Sequence, residues 1–222
     1  MISDRNIRSP KVRVKSGGSR TPAQKRWLER QLNDPYVARA KREGWRSRAA
    51  YKLIELDQKD RLLRTGGVIV DLGSAPGSWC QVAARKVGAS GKIVAIDLLE
   101  MQGMNHVEFI QGDFSDEQIL RQVEVALGGA KVDLVMSDML PNMTGVTAID
   151  SPRAIYLCEL AAEFALAHLK PDGKFLTKAY QGPGYQEFFQ QLKQQFKTVV
   201  SRKPDASRDR SAEIYLLASG LR

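Results

Sequence analysis

Short apolar runs recur along the chain after residue 66, and helical segments separate most of them. They cover residues 68–72, 92–97, 107–110, 132–136, 174–179, 197–201 and 213–218. Continuous apolar runs of this length are typical of strands that helices bury on both faces. Helical spacing is clearest over residues 153–169 and 187–196. The pattern therefore predicts an α/β fold with a doubly wound, mostly parallel seven-stranded sheet. Because no helix separates the last two runs, one strand near the C-terminus is expected to run antiparallel.

The N-terminal part of the chain predicts helices instead of strands. Residues 22–43 have helical character with a break or a fresh helix start at Asp34-Pro35, and a further helix is expected over residues 49–60. Residues 1–21 contain scattered Ser, Gly and Pro without an apolar core, which indicates a flexible arm and not a secretory signal. We therefore predict a basic arm over residues 1–21, followed by a single domain over residues 22–222 that begins with a helical prelude.

Positive charge is concentrated at the N-terminus. Of the formal net charge of +9, residues 1–52 contribute +11, from 15 Lys or Arg against 4 Asp or Glu, and the rest contributes −2. A basic head on a nearly neutral body is typical of proteins that bind a polyanion, and RNA is the obvious candidate. A tail that serves only solubility is the alternative on this feature alone.

Other compositional features narrow the class of protein. The sequence has no apolar run of 18 residues, only two histidines, and two cysteines at positions 80 and 158, too far apart for a metal motif. These features predict a cytoplasmic protein with reduced thiols, no membrane span and no metal site. We expect it to be a monomer.

Acidic residues end or directly follow four consecutive predicted strands. They are Asp71, Asp97, Asp113 and Asp138. In a doubly wound sheet, ligands bind beyond the carboxyl ends of the strands, so these carboxylates are expected to line one crevice. The turn after the first strand carries Gly73 and Gly77, which let the backbone approach a ligand, and a helix is expected to start near Ser78.

The spacing of these acids favours one cofactor chemistry. Asp97 lies 26 positions after Asp71, where a carboxylate accepts both ribose hydroxyls of a nucleoside, and Asp113 is placed to accept an adenine amino group. The turn after the first strand matches neither the G-x-G-x-x-G loop that binds pyrophosphate nor a P-loop. The crevice therefore suits an adenosine without pyrophosphate, which favours S-adenosyl-L-methionine over NAD.

A lysine near the end of the fifth strand is the other candidate for chemistry. Lys178 is the only charged residue in the run from Phe175 to Tyr180, and the fourth and fifth strands are neighbours in this topology. A lysine beside Asp138 over a cofactor crevice is a better functional candidate than an ordinary surface lysine.

Four segments together resemble the FtsJ-type ribosomal RNA ribose methyltransferases. They are RSRAAYKL at residues 46–53, DLGSAPGSW at 71–79, MSDMLPN at 136–142 and RDRSAEIY at 208–215. The resemblance extends from about residue 27 to the end of the chain. It departs from the family at Ser78, where many members carry glycine, and in its longer basic arm.

The resemblance implies a Rossmann-like, S-adenosylmethionine-dependent methyltransferase fold and a set of site residues. The family's catalytic tetrad falls on Lys52, Asp138, Lys178 and Glu213, and its cofactor positions on Gly77, Trp79, Asp97, Asp113 and Asp138. Gly73 is added to the cofactor set from its place in the first turn. Arginines of the flanking motifs are expected to bind RNA phosphates: Arg46, Arg48, Arg208 and Arg210.

The implied reaction is methylation of a ribose 2′-hydroxyl, of a uridine, in RNA of the large ribosomal subunit. Lys178 would deprotonate or orient the hydroxyl, Asp138 would position Lys178, and Glu213 would orient Lys52. Three alternatives stay open at this point. They are a methyltransferase acting on tRNA or another RNA, a nicotinamide-dependent oxidoreductase on the same fold, and a non-catalytic RNA-binding module.

Overall fold

The structure is a computed structural model that describes residues 13, 21–208 and 211–222. The predicted basic arm lies outside the described residues apart from Arg13 and Thr21, and so does Arg210. The elements, in chain order, are α1 (Pro22–Leu32), α2 (Pro35–Glu43), α3 (Ala49–Asp60), β1 (Val68–Leu72), α4 (Ser78–Val87), β2 (Lys92–Asp97), β3 (Val107–Gln111), α5 (Glu117–Leu127), β4 (Val132–Ser137), α6 (Thr147–His168), β5 (Leu169–Tyr180), α7 (Tyr185–Gln195), β6 (Phe196–Arg202) and β7 (Glu213–Leu221).

The predicted sheet is confirmed. Its seven strands are ordered β3-β2-β1-β4-β5-β7-β6. Neighbours from β3 to β5 pair in parallel, whereas β7 runs antiparallel to both β5 and β6. The order reverses between β1 and β4, and this switch point opens a crevice at the carboxyl edge of the sheet. One apolar cluster includes residues of α5, α6 and α7, and a second includes residues of α3 and α4. A small third cluster contains Ala40, Tyr51 and Ala206.

The prelude helices begin and end where the sequence supplies caps. Thr21 forms a capping box with Gln24 at the start of α1, and Asp34 accepts a hydrogen bond from the amide of Tyr36 at the start of α2. Gly44 then ends α2 in the left-handed conformation that favours glycine. The predicted break at Asp34-Pro35 is therefore a helix start with a side-chain cap.

Two boundaries differ from the prediction by five residues or more. The helix expected from residue 153 starts at Thr147. The sequence does not indicate this start, because the N-cap Val146 is not one of the usual capping residues and because Pro152 lies inside the helix. The strand expected from residue 174 starts at Leu169, and the Pro171-Asp172-Gly173 turn lies within it, where the pairing with β4 shifts register. Among the described residues, no helix is both long and apolar enough to span a membrane.

Candidate active site

A crevice of about 260 Å³ lies at the carboxyl ends of β1 to β4. Its walls are mostly apolar, and its polar groups include the carboxylates of Asp97, Asp113 and Asp138. Three of the four predicted strand-end acids therefore line one cavity. The fourth acid, Asp71, is fully buried and does not line the crevice.

Asp97 is held in place by backbone amides. Its Oδ2 accepts a hydrogen bond from the amide of Ala75 and its Oδ1 from the amide of Leu99, both at 2.8 Å. Each carboxylate oxygen has a second lone pair, so the side chain is fixed in position and still able to accept hydroxyl donors. This arrangement suits recognition of a ribose diol.

Asp113 is also oriented locally. Its Oδ1 accepts hydrogen bonds from the amide of Ser115 at 2.9 Å and from the Ser115 hydroxyl at 2.7 Å. These bonds, the amide bond first, lower the pKa of Asp113, so the carboxyl stays ionised at neutral pH. Its Oδ2 is available as an acceptor at the crevice, where the sequence predicts a contact with an adenine amino group.

The turn after β1 needs glycine at position 73. Gly73 has φ +77°, and a Cβ there would lie 2.7–2.9 Å from Met139, partly from its backbone atoms. Since the turn after β1 and the segment after β4 touch here, any larger residue would push the two walls of the crevice apart.

Gly77 and Trp79 are placed beside the crevice, not in its wall. Gly77, with φ +99°, precedes α4, whose first turn has no side-chain cap. The side chain of Trp79 is buried against α3 and β7. Its indole donates to the Ala49 carbonyl at 3.0 Å and packs on Tyr215. If Trp79 contributes to cofactor binding, it can do so only through its backbone amide, because its ring joins α4 to the prelude.

Lys178 and Asp138 meet at the carboxyl ends of β4 and β5. The Nζ of Lys178 lies 3.1 Å from Asp138 Oδ1 and donates to the Asp138 carbonyl at 2.6 Å. Lys178 is 7% exposed, so its side chain is almost completely surrounded by protein. The parallel pairing of β4 with β5 brings the two residues together.

A second pair, Lys52 and Glu213, lies nearby. Lys52 Nζ on α3 is 2.6 Å from Glu213 Oε1, and that oxygen also accepts a hydrogen bond from the Ser207 hydroxyl at 2.9 Å. Both ionic side chains are mostly buried, so the pair is shielded from solvent.

Tyr215 joins the two pairs, and the sequence analysis assigned it no role. Its hydroxyl donates to Asp138 Oδ1 at 2.9 Å and accepts from Lys52 Nζ at 3.2 Å. Burial, followed by the nearby carboxylates of Asp138 and Glu213, raises the pKa of Tyr215 far above its ordinary value, so it remains a donor. The available signal was the two-residue spacing of Glu213 and Tyr215 on β7, which puts both on one face.

The antiparallel pairing of β5 and β7 builds this chain of contacts. Lys178 pairs with Tyr215, and Tyr180 pairs with Glu213. Lys178, Asp138, Tyr215, Lys52 and Glu213 thus form one continuous line of hydrogen bonds and ion pairs, called here the polar chain. It brings all four predicted catalytic residues together.

A second cavity, of about 310 Å³, opens at the Lys52 end of the polar chain. We call it the acceptor pocket, and it is lined by Ser47, Arg48, Ala49, Lys52, Tyr180, Arg208, Ser211 and Glu213. Burial is the main reason that the pKa of Tyr180 rises to about 12, so its phenol stays neutral. The pocket combines cations with one aromatic ring.

The predicted RNA-binding arginines have different surroundings. Arg48 pairs with Asp34 and donates to the Ala206 carbonyl, and Arg208 lies 3.5 Å from the same Asp34 carboxylate. Arg46 donates instead to the carbonyls of Pro76 and Gly103. It thereby connects the prelude to the turn after β1 and to the segment after β2. Arg48 and Arg208 therefore border the acceptor pocket, whereas Arg46 braces the crevice.

The sequence profile of the family described as FtsJ-like methyltransferase matches residues 45–221, most of the chain. The chain belongs to the FtsJ-like methyltransferase family. The predicted family resemblance and the seven-stranded methyltransferase fold are thereby confirmed.

Individual members of the FtsJ-like family are similar to this chain over nearly their whole length. A protein of Azoarcus sp. (strain BH72), named ribosomal RNA large subunit methyltransferase E, is 55% identical over 91% of this chain and 99% of its own. A protein of the same name from Dechloromonas aromatica is 54% identical over 91% and 99%. A crystal structure from Plasmodium falciparum, named as a ribosomal RNA methyltransferase, is 32% identical with a TM-score of 0.72, covering 80% of this chain and 98% of that one.

Membership of the FtsJ-like family favours a methyltransferase over the oxidoreductase alternative. A nicotinamide-dependent oxidoreductase on the same fold is no longer needed to explain the crevice, because the family is one of methyltransferases. The crevice also fits a nucleoside methyl donor, with an apolar wall that includes Ile96, Phe114 and Leu157 and with Asp97 open to hydroxyl donors.

Proposed function

We propose that the protein methylates a ribose 2′-hydroxyl, on a uridine, in RNA of the large ribosomal subunit, with S-adenosylmethionine as methyl donor. The observation that carries the proposal is the polar chain, which runs from the cofactor crevice at Asp138 to the acceptor pocket at Lys52. The names of the relatives support rRNA as the substrate class.

The cofactor crevice would hold the methyl donor through its own residues. Asp97 would accept the ribose hydroxyls, Asp113 would accept the adenine amino group, and the uncapped first turn of α4 would offer amides to a carboxylate. When bound, S-adenosylmethionine supplies a methyl group that its sulfonium makes susceptible to attack.

Lys178 would act on the acceptor hydroxyl. A ribose hydroxyl is a weak nucleophile at neutral pH, so it needs a group that orients it and takes up its proton. Lys178 Nζ has two contacts with Asp138, and these orient the amine beside a residue that lines the cofactor crevice. Alignment of the hydroxyl by Lys178 would then supply much of the acceleration. The lysine in its neutral amine form would take up the hydroxyl proton as the new oxygen–methyl bond forms.

The remaining residues would hold Lys178 and the RNA. The Tyr215 hydroxyl would fix the Asp138 carboxylate, Lys52 would orient that hydroxyl by donating to it, and Glu213 would neutralise Lys52. Arg48 and Arg208 would contact phosphates at the edge of the acceptor pocket, where Tyr180 offers a ring for a base.

The test uses labelled methyl donor with free rRNA, large ribosomal subunits and tRNA, followed by mapping of the labelled ribose. We expect label on a uridine 2′-oxygen of large-subunit RNA. Lys178→Ala should lower turnover by about 10²-fold or more with cofactor affinity nearly unchanged, and Lys178→Arg should also fail because guanidinium does not release its proton.

The matched control is Lys197→Ala, which removes an exposed lysine from β6. It should leave turnover at the level of the unmodified protein. Label on tRNA alone would refute the substrate assignment, and no transfer to any RNA would favour a non-catalytic RNA-binding module. High activity of Lys178→Arg would refute the proton-accepting role of Lys178.

A further inference from the structure

Exposed apolar side chains are grouped in the loop between β4 and α6. Met143, Val146 and Ile149 are 50%, 51% and 43% exposed, and Leu140 in the same segment is 43% exposed. A single exposed apolar residue is ordinary, but four within residues 139–149 form a patch that the fold does not bury. We call this segment, with the first residues of α6, the apolar loop.

Polar bonds, not burial of its apolar side chains, hold the apolar loop in shape. Asp150 Oδ1 accepts hydrogen bonds from the amide and the hydroxyl of Thr144, and its Oδ2 accepts from the amide of Gly145. The three bonds are 2.8–2.9 Å long, and Asp150 itself is 4% exposed. The backbone of the loop is thus braced from below while its apolar side chains extend outward.

Val146 departs from a rule of local stability. It is the N-cap of α6 and makes no side-chain hydrogen bond to the helix. A serine, threonine, aspartate or asparagine at an N-cap stabilises a helix by about 1 kcal/mol relative to an apolar residue. Departures of this kind concentrate at functional sites, so the exposed valine indicates a contact made outside the folded chain.

The apolar loop lies between the two cavities of the site. Leu140 at one end lines the cofactor crevice beside Asp138. At the other end, the Oγ of Ser151 lies 3.5 Å from the place that a Cβ on Gly182 would take, two residues after Tyr180 of the acceptor pocket. A polynucleotide whose ribose reaches Lys178 therefore has this surface beside it.

We infer that the apolar loop binds the faces of RNA bases next to the target nucleotide, through Met143, Val146 and Ile149. The inference rests on the proposed function, since it needs RNA in the site. Unstacked bases present flat faces that pack on apolar and aromatic side chains, and apolar side chains also insert between bases. Arginine contacts with phosphates fix position without distinguishing bases, so the loop adds a different kind of contact.

The experiment compares the unmodified protein with the triple variant Met143→Ser/Val146→Ser/Ile149→Ser. Each binds a fluorescent RNA oligonucleotide and an abasic oligonucleotide with the same number of phosphates, over a series of salt concentrations. The unmodified protein should prefer the RNA that carries bases. The triple variant should lose on the order of tenfold in affinity for that RNA, lose the preference, and keep the same dependence of log affinity on log salt.

Two features keep this result interpretable. Serine at position 146 is a favourable N-cap, so the variant should melt at or near the temperature of the unmodified protein. Val125→Ser is the matched control, because Val125 is 81% exposed on α5 and lies outside both cavities. Its binding of both oligonucleotides should be unchanged.

Other outcomes overturn the inference. An unchanged base preference in the triple variant refutes it, and so does an equal loss for the abasic oligonucleotide. A loss seen with intact ribosomal subunits, but not with deproteinised RNA, assigns the apolar loop to a ribosomal protein instead. Methyl transfer by the unmodified protein is measured in parallel. Its absence refutes the proposed function, whereas transfer with unchanged base preference refutes only the loop.

Discussion

We predict that the unfolding free energy of the protein falls as pH rises toward neutrality, because Asp71 is buried. Its side chain is fully buried, its Oδ2 accepts only the weak hydrogen bond of the Cys80 thiol at 3.0 Å, and its Oδ1 has no partner. Burial, with smaller contributions from the carboxylates of Asp138 and Asp97, raises the pKa of Asp71 to about 7. The folded protein therefore favours the protonated acid.

The size and sign of the effect follow from the two pKa values. In the unfolded chain Asp71 has an ordinary pKa of 3.8, so between about pH 4 and pH 7 only the folded state holds the proton. The stabilisation is fully present below about pH 4 and is lost as pH rises through about 7. At 1.36 kcal/mol per pKa unit, the loss in unfolding free energy is about 4 kcal/mol.

Replacement of Asp71 by Asn isolates this contribution. The amide has nearly the same shape and does not titrate in this range, although an unpaired buried amide costs about 1–3 kcal/mol at every pH. Relative to the unmodified protein, Asp71→Asn should therefore be less stable near pH 4. Its relative stability should improve by about 4 kcal/mol by pH 8.

The assay is urea unfolding followed by circular dichroism at pH 4 to 8 and constant ionic strength. Contributions of titrating groups that do not interact with Asp71 are common to both proteins and cancel in the difference. Asp172→Asn, which changes an exposed aspartate, is the matched control, and its curve should run parallel to that of the unmodified protein. A difference for Asp71→Asn that does not vary with pH would refute the reasoning.

Three further predictions concern the cofactor, the polar chain and the arm. Asp97→Ala should weaken binding of S-adenosylmethionine by roughly 1.5–3 kcal/mol in calorimetry, with RNA affinity unchanged; equal cofactor affinity would contradict the placement of the ribose. Tyr215→Phe, which removes the hydroxyl between Asp138 and Lys52, should lower turnover roughly tenfold or more without changing cofactor affinity. Deletion of residues 1–20, with six Lys or Arg, should weaken RNA binding and flatten its salt dependence while preserving the melting temperature. Identical salt slopes would show that the arm does not bind RNA.

The sheet and the strand-end acids were predictable because each depends on a pattern within a few residues. Apolar runs followed by Asp97, Asp113 and Asp138 indicate buried parallel strands whose ends meet at one edge. The neighbouring positions of Lys178 and Asp138 follow from the same topology. The carboxyl ends of parallel strands lie at one edge of the sheet, so these residues could be placed together without information on side-chain packing.

Contacts that depend on register or on distant partners were not predictable. Tyr215 reaches Asp138 only because β7 pairs with β5 in one particular register. The direction of the Trp79 ring depends on α3, whose Ala49 carbonyl accepts from its indole. The start of α6 was missed because Val146 replaces the usual capping residue. The first two are set by tertiary contacts that the local pattern does not contain, whereas the third is a helix start without a local capping signal.

The prelude helices also determine the geometry of the acceptor pocket. Asp34 caps α2 through the amide of Tyr36, and the same carboxylate pairs with Arg48 and Arg208. A charged group that is oriented by a helix end loses little further freedom when its partners bind a ligand. Asp34, which precedes the segment matched by the family profile, therefore holds both arginines in place for the RNA contact proposed above. Loss of Asp34 would free these two cations, which makes the helical prelude part of the proposed RNA site and not merely a support for the sheet.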